Sequence, residues 1–297
     1  MAVTTVPTTG IDPWSIPPLF AQLVDDTSLL RPRAEAVPID TVVARYLEAR
    51  DGLYGGLVGQ LVCPVSRLSA LVKELARSAP ARPVDLSLVV DTGLGAVPKA
   101  LSTVLSRPSL LAPRTVETAA PPDVDGVWLD RVAEFVPEDV VAVVEPRRPT
   151  AEDPDGTDAW LDAVRRVADQ GCTPKLRCGG SRPSDAPTSE DVERFVRVVA
   201  ETGRPFITFG LSQAVRTDDA GTRRHGVVNL LVAVARSLDG GDVTGALRCT
   251  DGAALAAEAD GLSVDVVAGV RGLLSRCGTD AEPVPGAALA DLGLLPQ

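Results

Sequence analysis

One histidine in 297 residues, three lysines among 29 Lys and Arg, and 3% aromatic residues set the first limits on this chain. With His225 alone, a histidine-built zinc centre and a Ser-His-Asp triad both lose the imidazoles they usually depend on. Five cysteines, at 63, 172, 178, 249 and 277, form an odd set with no CxxC spacing. That set indicates neither a disulfide framework nor a metal site, so buried reduced thiols are expected. No GxGxxG follows a first strand and no GxxxxGK[ST] occurs, which removes the usual support for dinucleotide and P-loop chemistry. The Gly-x-Gly of DTGLGAVPKA reads as a turn into a helix. The expectation is therefore a chain that uses no metal and no cofactor.

Two further absences concern partners. No apolar run approaches the roughly 18 residues of a membrane helix, and MAVTTVPTTGIDPWS at the start has neither a basic nor an apolar targeting region. Cytoplasmic placement with no membrane contact is expected. A net charge of -11 and a pI near 4.7 argue against nucleic acid as a partner, which would need a clustered excess of Lys and Arg.

What is present is size and alternation. At 45% hydrophobic the chain can bury a large core. Residues 1–38 are proline-rich, with a short helix expected near 17–24, and read as a covering arm that could dock a partner subunit. From Ile39 on, helical and strand-like patterns alternate. Strands are expected at 57–64, 84–90, 114–119, 140–145, 174–178, 205–210 and 243–249. Helical spacing lies between them, as in VSRLSALVKELARS, TDAWLDAVRRVADQ and HGVVNLLVAVARSL. Thr157 and Thr188 suit helix entry, the latter with Asp191 three positions on, and Gly171 and Gly203 suit helix exit. Strands alternating with helices imply a parallel sheet. Seven or eight units in about 250 residues suit an α/β fold of (β/α)8 TIM-like barrel type over 39–297, with an N-terminal extension. Its closure depends on LLSRCG, 273–278, forming the last strand. Otherwise the barrel is irregular or open.

Side chains in a barrel strand alternate between helices and axis. On VDLSLVVD this sends Leu86, Leu88 and Val90 outward and Asp85, Ser87 and Asp91 inward, and on LVGQLVC it sends Gln60 inward. Glu117 and Glu145 lie near the C-terminal ends of their strands, where barrel sites are built. Lys175 and Arg177 share one face, as do Arg248 and Thr250 if 243–249 is a strand. An interior so charged departs from the branched apolar packing usual in barrels. Either the inward ion pairs only neutralise one another, or they form a site. Lys73 and Lys99 lie on helical segments, so Lys175 is the lysine that a strand carries.

Two roles fit Lys175. Its amine, with a pKa lowered by desolvation beside Arg177, could attack a carbonyl to form a Schiff base, Glu145 or Glu117 handling protons. Alternatively it stays charged and, with Arg177 and Arg248, binds a carboxylate or phosphate. Gly179 and Gly180 would admit backbone to an anion, unless they are simply a turn. His225 and Asn229, one helical turn apart, could contact a ligand at the mouth or merely cap and pack.

The runs KLRCGG, PFITFGLSQAVR, RRHGVVNLL and EPVPGAALADLGLL resemble those of an uncharacterised family of bacterial barrel-like proteins, over about residues 140–297. The likeness matches Lys175, Arg177, Gly179 and Gly180 to a Lys-x-Arg-x-Gly-Gly strand. His225, Gly226 and Asn229 match a His-Gly-x-x-Asn helix start. The family usually has a lysine in the next strand and a His-His pair after its Gly-Leu. This chain has Phe206, Ile207, Thr208 and Phe209 in that strand and Ser212 and Gln213 after Gly210 and Leu211, so chemistry resting on those groups is not carried over. The resemblance implies a barrel and a site location, and no reaction.

The expected function is a metal-independent enzyme of lyase, aldolase or isomerase type acting on a small anionic carbonyl, carboxylate or phosphate compound at the barrel mouth. Lys175, Glu145 and Glu117 would be its catalytic groups, and Arg177, Arg248, Gly179, Gly180, His225 and Asn229 would bind substrate. The alternative is a non-catalytic small-anion binder or scaffold on the same fold. A homo-oligomer is left open.

Overall fold

The computed structural model describes residues 15–149, 156–180, 186–219, 222–279 and 285–297. The chain alternates strand and helix as β1 (Val24–Asp26), α1 (Ile39–Asp51), β2 (Val58–Pro64), α2 (Leu68–Ser78), β3 (Val84–Val89), α3 (Val97–Leu105) and β4 (Leu111–Ala119). It continues with α4 (Gly126–Phe135), β5 (Val141–Glu145), α5 (Gly156–Asp169), β6 (Thr173–Arg177), α6 (Ser189–Thr202) and β7 (Phe206–Phe209). A small antiparallel ribbon, β8 (Thr217–Asp219) with β9 (Thr222–Arg224), follows. Four helices come next: α7 (Val227–Leu238), α8 (Val243–Arg248), α9 (Gly252–Asp260) and α10 (Val264–Leu273). They lead into β10 (Leu274–Thr279) and then α11 (Gly286–Asp291).

Eight parallel strands close into a barrel in the order β1-β10-β7-β6-β5-β4-β3-β2. The fold is a (β/α)8 TIM-like barrel. Closure uses β10 against β7 on one side, with Cys277 beside Thr208, and against β1 on the other, with Asp25 beside Gly278.

Outward faces are apolar because they meet the helices. Leu61, Cys63, Leu86 and Leu88 pack with Val42, Val43 and Tyr46 of α1 and with Leu71 and Leu75 of α2. Across the barrel, the Phe206 ring meets Phe195 of α6 edge-on at 5.4 Å, and Phe195 stacks on Trp160 of α5 at 5.8 Å. Residues 227–235 of α7 are all buried, because α8, α9 and α10 pack around it between β7 and β10. A helix buried on every side has to be apolar throughout, which is how HGVVNLLVAVARSL reads.

Three expectations are corrected here. Residues 243–249 are not a strand but α8, capped by Asp242, whose carboxylate accepts the Gly245 amide at 2.8 Å. Val243, Ala246 and Leu247 are its buried residues, at the i, i+3, i+4 spacing of a helix, and six positions are too few for that period to stand out in the sequence. The eighth strand is instead β1, so the barrel does not start at Ile39, and residues 24–26 of the expected arm belong to it. Nor do residues 17–24 form a helix: they are turns that lead into β1.

The expected helix ends at Thr188 and Gly203 are present. The Thr188 hydroxyl accepts the Asp191 amide at 3.0 Å while Asp191 accepts the Thr188 amide at 3.1 Å, a reciprocal capping box. All five cysteines are free, four of them buried. Burial pushes the Cys63 and Cys277 thiols up to about 12, the condition of inert structural cysteines.

Candidate active site at the barrel mouth

Inward parity brings the charged residues of β4, β5 and β6 together. Lys175 Nζ donates to Glu117 Oε2 at 2.5 Å and lies 3.7 Å from Glu145 Oε2. Glu117 also accepts the Ser87 hydroxyl at 2.5 Å, and Thr115 donates to Gln60 Oε1 at 2.9 Å. Arg177 grips Glu145 with both arms of its fork, Nε to Oε1 at 2.7 Å and Nη2 to Oε2 at 3.1 Å. The Phe209 ring covers both cations, its centre 5.1 Å from Lys175 Nζ and 4.7 Å from the Arg177 guanidinium carbon.

Side-chain exposure orders these groups along the axis. It is 6% for Lys175 and 5% for Glu117, then 19% for Glu145 and 39% for Arg177. Lys175 and Glu117 therefore form a deep layer, and Glu145 and Arg177 a layer that opens to the mouth. An unbroken chain of contacts runs from Ser87 through Glu117, Lys175 and Glu145 to Arg177.

The column has a third pair towards the N-terminal end. Asp25 of β1 accepts the Gln60 amide at 2.6 Å and lies 3.5 Å from Arg276 Nη1 of β10. Arg276 also donates to Gln22 O at 2.9 Å, just before β1 begins. Burial pushes the Asp25 carboxyl up from 3.8 to about 7, against the pull of Arg276 and the Gln60 amide. Glu117 raises it further and Lys175 lowers it, so Asp25 senses the deep layer. Gly59 makes the room, since a Cβ there would fall 2.3 Å from Asp25 Oδ1 and 2.6 Å from Arg276 Nη1.

Above the column lies a cavity of about 730 Å3. Arg177 and Phe209 form one part of its lining; Leu29, Leu30, Pro64 and Val89 give it an apolar wall. Arg31, Ser66, Arg67 and Asp91 face it from the loops that follow β1, β2 and β3. Lys175 is not part of this lining, but Phe209, whose ring it packs against, is.

Four of the nine expected site residues belong to this assembly: Lys175, Glu117, Glu145 and Arg177. The others do not. Arg248 is on α8, exposed, and paired with Glu190 of α6, an arrangement worth about 0–1 kcal/mol. Thr250 lies just past that helix and is likewise exposed. Gly179 serves a close approach of backbone to backbone, because a Cβ there would fall 2.5 Å from Gly210 O, and Gly210 itself needs φ of +86°. Gly180 is exposed beside it. His225 is buried with Nε2 2.9 Å from Pro187 O, holding the loop before α6.

Asn229 is a clamp rather than a ligand contact. Its Oδ1 accepts the Arg216 amide at 2.7 Å and its Nδ2 donates to Ala246 O and Cys249 O at 2.8 and 2.7 Å. All its strong bonding positions join α7 to the loop before it and to α8. Asn229→Ala is expected to cost about 2–4 kcal/mol in chemical unfolding, by leaving buried groups unpaired. Any ligand-induced rise in stability should be unchanged in that variant.

Sequence reasoning missed Asp25, Arg276, Arg31, Arg67 and Phe209. Two of them had a readable signal. Arg67 follows the C-terminal end of a recognised strand, and Arg276 lies within LLSRCG. Asp25 sits in a three-residue strand, too short for a period to show.

Among the described residues no group of three or more His, Cys, Asp or Glu is placed to hold a metal ion, and no helix is long and apolar enough to cross a membrane. No family model matches the chain, and no curated protein matches it either.

Proposed function

We propose that this protein is an enzyme of lyase, aldolase or isomerase type acting on a small anionic carbonyl compound, with Lys175 at its chemical centre. The observation that carries this reading is the lysine held between two carboxylates and packed on Phe209, which with Arg177 lines the mouth cavity. A buried ion pair adds little net stability compared with apolar packing of the same volume, so stability alone is a poor reason to fill a barrel axis with charge. Perturbed acids beside partners of opposite sign are a frequent mark of catalysis, and Asp25, pushed up to about 7 next to the deep layer, is one such acid.

In the resting site Lys175 is an ammonium, held by Glu117, by the nearby Glu145 and by the Phe209 ring. As such it is a proton donor to a substrate oxygen and a stabiliser of an enolate. For covalent chemistry its proton passes to Glu117. The free amine then adds to the carbonyl carbon, and Glu117 returns the proton as the carbinolamine hydroxyl leaves as water, giving an iminium. Arg177 grips the anionic group at the mouth, and the Phe209 ring turns aside to admit the carbonyl.

The test is borohydride reduction during incubation with a panel of keto acids and keto-sugar phosphates, read by mass spectrometry. Mass added at Lys175, and none in Lys175→Met, is the expected result. Turnover proceeding undiminished in Lys175→Met would overturn the reading.

One observation favours a second reading. The column balances three acids, Asp25, Glu117 and Glu145, against three bases, Lys175, Arg177 and Arg276. Mutual neutralisation of that kind suits a column that does no chemistry, in a non-catalytic binder or scaffold whose anion would have to be held elsewhere in the mouth. A ligand that binds and is always recovered chemically unchanged would select it.

A further inference from the structure

We infer that the wall of the mouth cavity opposite Arg177 is a second anion subsite, built on Arg67, for a phosphate or carboxylate group remote from the reacting carbonyl. The inference rests on the proposed function only in placing the carbonyl at the Arg177 end.

Among the described residues, Arg67 is a fixed cation without a paired carboxylate. Its Nη1 donates to Leu29 O at 3.1 Å and its Nη2 to Val37 O at 3.4 Å, which ties the guanidinium to the loop after β1. Those carbonyls are its partners among the described residues, and no carboxylate there forms an ion pair with it. Arg177, by contrast, is neutralised by Glu145 in a two-pronged pair. Among the described lining residues the one carboxylate, Asp91, forms no ion pair with Arg67: its Oδ1 accepts the Ser66 amide at 3.0 Å and its Oδ2 the Ser66 hydroxyl. A half-buried guanidinium that retains unused donors and faces open space is arranged to receive an oxyanion.

The cavity's size and lining define the rest of the ligand. At about 730 Å3 it falls in the range of roughly 300–1,000 Å3 that takes drug-sized molecules, well beyond a three-carbon keto acid. Leu29, Leu30, Pro64 and Val89 supply apolar wall. The ligand class is thus a carbonyl compound with a terminal phosphate or carboxylate, carried on a body long enough to reach from Arg177 to Arg67. Barrel enzymes frequently place a phosphate at the loops after the seventh and eighth strands. Here the cation comes from the loop after β2.

The experiment is thermal unfolding of the full chain in rising concentrations of inorganic phosphate, and separately of acetate, at ionic strength held constant with chloride. A saturable rise in midpoint is expected in wild type. In Arg67→Leu the apparent Kd should rise about tenfold or more, the loss of one charge-assisted contact. Because Arg67 also anchors a loop, a second variant is included: Ala36→Glu, at an exposed position in the same lining, brings in a competing carboxylate and should give the same loss. A stronger response to phosphate than to acetate assigns a phosphate head, and the reverse assigns a carboxylate. The response should persist in Lys175→Met, which separates this subsite from the catalytic reading. No saturable rise with either anion, or a response unchanged in both Arg67→Leu and Ala36→Glu, overturns the subsite. A response abolished by Lys175→Met yet kept in Arg67→Leu overturns it as well.

Discussion

Lys175→Met is expected to lower stability at pH 7 by about 3–5 kcal/mol, and the double variant Lys175→Met/Glu117→Gln to recover most of that loss. The asymmetry comes from burial. Both side chains are almost wholly removed from water, and Nζ and Oε2 are 2.5 Å apart. Removing the cation leaves the Glu117 carboxylate with the Ser87 hydroxyl as its close hydrogen-bond donor, in a place where an unpaired charge is expensive. Glutamine at 117 still accepts from Ser87 and carries no charge, so the methionine meets a neutral neighbour. Urea unfolding of wild type, the single variant and the double variant forms the test. A single variant as stable as wild type would mean that Lys175 does not hold Glu117 in place. The same series bears on function, because a residue whose removal is strongly destabilising yet repaired by neutralising its partner has a structural effect that activity assays can be corrected for.

The second large effect is a dependence of stability on pH, expected in wild type and lost in Asp25→Asn. The Asp25 carboxyl titrates near 7 in the folded protein and near 3.8 when unfolded. Between those values the folded state binds the extra proton, so stability falls as pH rises from about 4 to about 7, by at most about 1.4 kcal/mol per pH unit. Above pH 7 the penalty is complete. Asparagine keeps an acceptor for the Gln60 amide and has nothing to ionise, and Arg276 retains Gln22 O as a partner. Asp25→Asn should therefore be more stable than wild type at pH 8, by on the order of 2–4 kcal/mol, with the advantage more than halved by pH 5. Unfolding free energies measured at pH 5, 6, 7 and 8 decide it. Parallel curves for the two proteins would show that Asp25 is not desolvated as its position implies.

Much of the architecture could be read directly from residue patterns, and the reason is periodicity. The strands β2 to β7 and β10 each carry an apolar set that must face helices, and their spacing in the chain gives a barrel. The same parity sends Gln60 and Ser87 to the axis, where the structure has them, while strand-end position marks Glu117 and a shared face joins Lys175 to Arg177. Arg177 followed from Lys175 two residues before it. These are local facts, written in the order of neighbouring residues.

Other features depended on partners distant in the chain. Val24–Asp26 is a strand because β2 and β10 flank it, since three residues in a proline-rich segment carry no period of their own. Residues 243–248 are a helix because α7 offers them a surface to cover, and Arg248 leaves the axis as a result. His225 and Asn229 looked available for a ligand, but folding assigns their polar atoms to Pro187 O, the Arg216 amide and two carbonyls around α8. Whether a polar side chain is free or already bonded is decided by groups far away in sequence. Alternation could name the strands and the charges they carry. Only closure of the barrel, which set Asp25 against Arg276 and hung Arg67 from the loop after β1, determined which of those charges neutralise one another and which face the cavity.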